Sequence, residues 1–239
     1  MIYFVSDIHL GFFEREKDRL RENIFIDFLN SIEKDCTQLF LLGDIFDYWF
    51  EYKTVIPMYF YRTLSKISEL IERGIKVEYI MGNHDFGHTK FFKNEFNIDI
   101  IRTDTTYTIN GKKFYLSHGD GKSYNDHAYM VLKKILRNRI CNKLYSKLHP
   151  DCGISLALHT SRKSRKATSI KDYGQQDGML DFAKSKIAEG YDYVIMGHRH
   201  KAEQITIGNG QYVNLGEWLE NPSYAKFDGN NLELIFYKA

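Results

Sequence analysis

Five short clusters in the sequence collect side chains able to hold metal ions. They are Ser-Asp-Ile-His-Leu (6–10), Gly-Asp-Ile-Phe-Asp (43–47), Gly-Asn-His-Asp (82–85), Ser-His-Gly-Asp (117–120) and Gly-His-Arg-His (197–200). From them Asp7, His9, Asp44, Asn83, His118, His198 and His200 offer seven oxygen or nitrogen donors. In Asp-x-His and His-x-His the side chains sit at i and i+2, on one side of an extended segment, so each pair aims two ligands at one point. Seven donors are too many for one closed tetrahedral zinc; they suit two ions that share a carboxylate and keep positions open. Two ions about 3.5–4 Å apart clamp the oxygens of a phosphoryl transfer. The mixed Asp/Asn/His set is neither soft nor purely hard, which points to Mn²⁺, with Fe or Zn as alternatives.

His84 adjoins Asn83, so its imidazole can reach the phosphate or the leaving oxygen. A phosphate leaving group is already a stable anion, its second pKa being about 6, and hardly needs a proton donor. An alcohol leaving group does, gaining roughly 10²–10⁴ from a general acid. Taken singly, each cluster has a plain reading: Gly-Asn is a common turn, and a lone Asp-x-His is common. Five in succession, each after an apolar run, leave chemistry as the better account.

The elements that must position these clusters are legible as well. Residues 2–6, 38–42 and 76–80 read as short buried strands, and 20–34 and 57–73 carry apolar residues at helical spacing, with Gly74 at the second stop. Strand, helix, strand, helix, strand implies a parallel sheet whose carboxyl-end loops converge on one edge. After about residue 98, Asn110-Gly111 marks a hairpin. A helical block over about 124–148 follows, then a basic loop, a helix near 177–188, a strand at 192–196 and hairpins turning at 208–210 and 228–230. The expected architecture is a single α/β sandwich over 1–239 with 122–171 as an inserted helical cap.

Composition sets the class. A chain of 239 residues with 43% hydrophobic content can bury one large core. Three widely spaced cysteines with no Cys-x-x-Cys suggest a reducing compartment. The start lacks a basic leader and no apolar run approaches the ~18 residues of a membrane span, so the expectation is a soluble, cytoplasmic protein. Net charge is only +2, yet Lys133 to Lys171 holds eleven Lys or Arg and one acid, leaving the remainder at −8. Leu132, Leu136, Ile140, Leu144 and Leu148 recur every four residues among those cations. Such a helix either lies on an anionic membrane surface or packs its stripe on the core. Tyr124, Tyr129 and Tyr145 could pack acyl chains or fill the core. The segment lacks the aromatic interleaving of a single-strand nucleic-acid groove, and nothing in it implies a protein partner.

The series Asp-Ile-His, Gly-Asp-Ile-Phe-Asp, Gly-Asn-His-Asp, His-Gly-Asp and Gly-His-Arg-His resembles the calcineurin-like metallophosphoesterase superfamily, over Asp7 to His200. That resemblance implies a double β-sheet core flanked by helices. It implies one ion on Asp7, His9, Asp44 and His200 and a second on Asp44, Asn83, His118 and His198, with Asp44 as the bridge. GDIFDYWF, HGDGKSYNDHAY, LHPDCG, TSRKSRKA and VNLGEWLENPSYAKF are similar, more narrowly, to the UDP-2,3-diacylglucosamine diphosphatase family of lipid A biosynthesis. Members cleave a nucleotide-linked lipid sugar to UMP and the lipid sugar 1-phosphate, at the inner face of the inner membrane, with a cap that grips acyl chains. The resemblance implies substrate contacts at Asn83, His84, Asp126, Ser161, Arg165, Lys166 and His198. His84 departs from it, because the best-known members carry Arg between the Asn and the Asp. Two alternatives stay open: a metallophosphoesterase acting on a cyclic nucleotide, phosphoprotein or nucleic acid, and a non-catalytic scaffold with a degenerate metal site.

Overall fold

The protein is described by a computed structural model, which covers residues 1–122, 134–136, 138–168 and 178–238. The strands are β1 (Ile2–Val5), β2 (Gln38–Leu41), β3 (Lys76–Ile80), β4 (Ile100–Ile101), β5 (Thr105–Ile109), β6 (Lys112–Leu116), β7 (Tyr193–Met196), β8 (Ala202–Ile207), β9 (Gly210–Leu215), β10 (Ser223–Phe227) and β11 (Leu232–Phe236). They form two sheets, ordered β11-β10-β1-β2-β3-β4 and β5-β6-β7-β9-β8. β1, β2, β3 and β4 run parallel, as do β6, β7 and β9. The hairpins at 110–111, 208–210 and 228–230 close as antiparallel pairs.

The two-residue period of a strand builds the layers. In β1, Phe4 points between the sheets and stacks on Phe40 at 5.0 Å and on Phe114 of the other sheet at 6.0 Å. Its neighbours Tyr3 and Val5 point outward, onto Phe25, Phe28 and Leu29 of the helix Arg15–Ile32 and Leu64, Ile67 and Leu70 of the helix Tyr61–Glu72. On the far side Tyr115, Val194, Met196 and Tyr212 receive Met179 and Ala183 of the helix Gly178–Ala188. Helix, sheet, sheet, helix is therefore the layer order, and the chain is an α/β double-sheet sandwich.

The segment expected to form a cap departs from the sequence-based expectation in two places. The helical block over 124–148 is broken: Asn138 ends one turn, and its side chain accepts hydrogen bonds from the N–H groups of Ile140 and Cys141, starting a new helix, Arg139–Tyr145. A side-chain acceptor there satisfies helix N–H groups that an unbroken helix would bond internally. The basic stretch after it is not a loop. It is the second half of the helix Pro150–Thr168. Leu132, Tyr124 and Tyr129 lie outside the described residues. Tyr145 ties these helices to the body, its ring 4.7 Å from Phe50 and its hydroxyl bonded to the Gly153 carbonyl. No helix among the described residues is long and apolar enough to cross a membrane.

Candidate metal centre

The clusters follow β1, β2, β3, β6 and β7, so three loops come from one sheet and two from the other. Backbone hydrogen bonds zip them together: Asp7 N–H to Gly43 O, His9 N–H to Asp44 O, Gly197 N–H to His118 O and Trp218 N–H to Asp7 O. The packing is close enough to dictate glycine. A Cβ on Gly82 would stand 2.1 Å from Asp44 Oδ1, and one on Gly197 would stand 2.3 Å from Asp7 Oδ2.

The ligand pairs are not on extended backbone. Asp7, His9, Asp44, His198 and His200 all have positive φ, between 50° and 69°. Left-handed backbone costs a non-glycine residue on the order of 1–2 kcal/mol, and such strain concentrates at functional sites. The loops turn their donors inward through this curl rather than by strand alternation.

All seven expected donors converge. Asp7, His9 and His200 form one group with ligand atoms within 4.8 Å of one another, and Asp44, His118 and His198 form another. His9 Nε2 faces His200 Nε2 at 3.1 Å, and both face Asp7 Oδ1, at 3.5 and 3.2 Å. Asp7 Oδ1 is fully buried and accepts no hydrogen bond of good geometry. The other oxygen, Oδ2, accepts from Ser6 Oγ and from the His198 N–H. Asp44 Oδ2 lies between the groups, 3.9 Å from His9 Nε2 and 3.4 Å from His118 Nε2. His118 donates through Nδ1 to the Leu42 carbonyl, which leaves Nε2 turned to Asp44 and, at 3.0 Å, to Asn83 Oδ1. A lone buried carboxylate oxygen amid imidazole nitrogens turned on one another is what a shared cation would satisfy, and the donor set fits two.

The charges agree with that fit. Burial pushes the Asp7 carboxyl up, but His200 and His9 outweigh it and hold it well below the usual carboxylate range. Burial likewise works against ionised Asp44, and the imidazoles of His118 and His84 reverse the sign. Burial lowers His118, and Asp44 more than offsets it, raising that imidazole to about 10. His198 is pushed down to about 4, first by burial and then by His118. The carboxylates thus demand compensating positive charge.

His84 belongs to this cluster more closely than the sequence alone implies. With His9 and Asp44 it makes a third group of atoms within 4.8 Å. Its ring meets His9 edge-on at 4.9 Å, its N–H donates to Asp44 Oδ1, and its Nδ1 lies 3.2 Å from the Asp47 carbonyl. Asp85 ties the loop, accepting from Tyr79 Oη and the N–H groups of Gly82 and Ile45. Burial and the Asp44 charge push its carboxyl up to about 6.

Several supporting residues escaped the sequence reading. Asp47 Oδ1 lies 3.3 Å from His9 Nδ1 and 3.4 Å from His84 Nδ1. Its place inside Gly-Asp-Ile-Phe-Asp was the available signal. Asn214 donates to the Gly197 carbonyl, and Arg21, paired with Asp18, donates to the carbonyls of Ile8 and His9. Of the expected substrate contacts, Asp126 lies outside the described residues. Ser161, Arg165 and Lys166 fall on the helix Pro150–Thr168. Trp49 and Trp218 are buried behind the loops, against Phe46 and Phe60 and against Phe25 and Phe28 respectively.

Residues 1–202 match the model of the calcineurin-like phosphoesterase family. A UDP-2,3-diacylglucosamine hydrolase of Porphyromonas gingivalis is 32% identical, over 98% of this chain and 96% of its own. The enzyme of the same name from Haemophilus influenzae (strain PittGG) is 27% identical, over 92% and 91%. Among solved structures, an archaeal phosphodiesterase aligns over 99% of both chains at 17% identity, with a TM-score of 0.48.

Proposed function

The chain belongs to the calcineurin-like phosphoesterase family, and on that premise we propose that it hydrolyses UDP-2,3-diacylglucosamine to UMP and 2,3-diacylglucosamine 1-phosphate with two divalent cations. The observation that carries this reading is the convergence of two donor groups on Asp44, in a chain similar along nearly its whole length to a hydrolase of that substrate. Asp7, His9, Asp44 and His200 would hold one cation and Asp44, Asn83, His118 and His198 the other, with Mn²⁺ the best fit to mixed nitrogen and oxygen donors. When bound, such a pair neutralises phosphoryl charge and lowers the pKa of water.

The residues of the chain do the rest. Asp47 faces Nδ1 of both His9 and His84, so it orients the two rings. Leu42 O fixes the His118 tautomer. His84, in the same cluster, binds the phosphoryl oxygens. Ser161, Arg165, Lys166 and Asp126 would reach the lipid sugar from the cap over 122–171. Ile135, Ile140, Leu144, Leu148 and Leu156 are exposed among the cap's cations, which favours contact with acyl chains and an anionic inner-membrane surface over packing on the core.

The test is direct. Purified protein with Mn²⁺ and UDP-2,3-diacylglucosamine in detergent micelles should release UMP, and chelation should stop it. No UMP with Mn²⁺, Fe²⁺ or Zn²⁺ would overturn the substrate assignment. The His84–Asp47 contact favours a second activity: an imidazole can donate a proton to an alcohol leaving group, which an arginine cannot. Cleavage of alkyl phosphodiesters by the same site follows.

A further inference from the structure

Twelve large hydrophobic side chains are exposed among the described residues, and they are not scattered. Five lie on the cap. On the body Met58, Tyr59 and Tyr61 gather where the helix Arg15–Ile32 meets the start of the helix Tyr61–Glu72, with Arg15 lining the same cleft. Met58 is 71% exposed, Tyr61 57% and Tyr59 49%. Phe60, in the same turn, points inward onto Phe46 at 4.7 Å. The turn therefore sorts its side chains, and those outside are large and apolar.

Cations dress this patch. The Arg15 guanidinium lies 4.8 Å from the Tyr59 ring centre and that of Arg19 5.7 Å from Tyr61. Arg15, Met58, Tyr59 and Tyr61 line one shallow cleft. Lys53 is exposed nearby in sequence, as are the acids Glu14 and Glu16, while Lys17 lies over the Phe13 ring. Arginine on tyrosine beside an exposed Met is the composition of a surface that seats at a headgroup boundary, apolar below and cationic at the rim. The patch also continues the cap. The stretch that carries it begins with Tyr48, Phe50 and Tyr52, which meet the cap at Tyr145 and Gly153. Gly11, two residues from His9, packs on Phe60. The two apolar groups thus flank the loops that bear His9 and Asp44.

We propose that this body patch is a second membrane-contact surface, seating on an anionic bilayer beside the cap so that the metal centre opens toward the membrane. The proposal rests on the lipid-linked substrate argued above. A second copy of the chain fits less well, because a symmetric contact would set the same cations face to face.

The experiment uses the full chain and sedimentation with phosphatidylglycerol-containing vesicles. A Met58→Ser/Tyr59→Ser/Tyr61→Ser variant should lose at least about tenfold in vesicle affinity. Arg15→Gln/Arg19→Gln should lose about fivefold per cation at low salt. Neither should change kcat/KM on a small chromogenic phosphodiester, which reports that the fold and the site are intact. Wild-type-like vesicle binding by both variants would overturn the surface, as would a dimer that only the variants dissolve. Turnover of the lipid substrate in micelles by the unaltered protein judges the substrate separately. If that fails while the variants still release vesicles, the surface stands and the substrate reading falls.

Discussion

Asp47→Asn is the sharpest probe of how the site is held. Asp47 Oδ1 stands 3.3 Å from His9 Nδ1 and 3.4 Å from His84 Nδ1, with only 2% of its side chain exposed. The amide keeps the volume, removes the charge, and in one of its two orientations turns an NH2 instead of an acceptor on both rings. Losing a carboxylate behind a ligating histidine costs about 10–100-fold in metal affinity. With free metal well above both dissociation constants, a 100-fold loss removes about 2.7 kcal/mol of metal-linked stability. In a chain of 239 residues, each kcal/mol moves the thermal midpoint by about 2–4 °C, so the metal-induced rise should shrink by about 5–10 °C. Differential scanning fluorimetry with Mn²⁺ and with chelator reads that rise for each protein, cancelling any change in the metal-free state. Equal rises would refute the reasoning and show that packing against the His84 ring, not Asp47, orients His9.

His84→Arg should keep most diphosphatase activity yet lose about 10²–10⁴ on an alkyl phosphodiester; equal losses on both substrates would sink the leaving-group argument. Gly82→Ala, whose new Cβ would stand 2.1 Å from Asp44 Oδ1, should purify with little metal, and wild-type metal content would show that the loops can part. Asp104 is held below its ordinary value of 3.8, burial being outweighed by Lys122, Ser117 and Tyr115. Its stabilising share is therefore present above pH about 4 and lost as pH falls through the lower folded value. Asp104→Asn should lower the urea midpoint at pH 7, and the gap to the parent should narrow as pH falls below about 4; a pH-independent gap would assign the loss to packing instead.

The convergence of the seven expected donors was legible because ligand chemistry restricts residue type: few side chains replace Asp44 or His118 as ligands, and strand ends told where they would meet. The strands and the hairpin turns at Asn110-Gly111, 208–210 and 228–230 follow from equally local rules. What stayed hidden depended on contacts distant in sequence. Asp47 gains its meaning only when His84 folds over it, and Arg21 only when the helix Arg15–Ile32 lies against the Ile8 and His9 carbonyls. The cap misled for a different reason. Leucines every four residues continue through Asn138, but a helix N-cap beats the period where its side chain can take two backbone donors. Serines beside Arg and Lys suggested a loop after it, although the stretch holds no Gly or Pro and its Arg, Lys and Ala favour helix.

The left-handed residues carry the remaining argument. Seven non-glycine residues have positive φ among the described residues; Asn97 caps a helix, Asn110 makes a hairpin turn, and the other five are expected metal donors. A helix end or a tight turn explains the asparagines, whereas neither explains Asp7, His9, Asp44, His198 and His200. Neighbours hold part of this curl: Gly43 and Asp44 carbonyls take the N–H groups of Asp7 and His9, Arg21 holds the His9 carbonyl, and Asn214 holds Gly197. Those bonds lie within the protein, so the fold carries that part of the strain. A centre assembled in this way would meet cations with donors already in place, so little reorganisation would oppose binding. Selectivity among divalent ions then falls to the spacing of the fixed donors, which a flexible loop of the same seven residues could not provide.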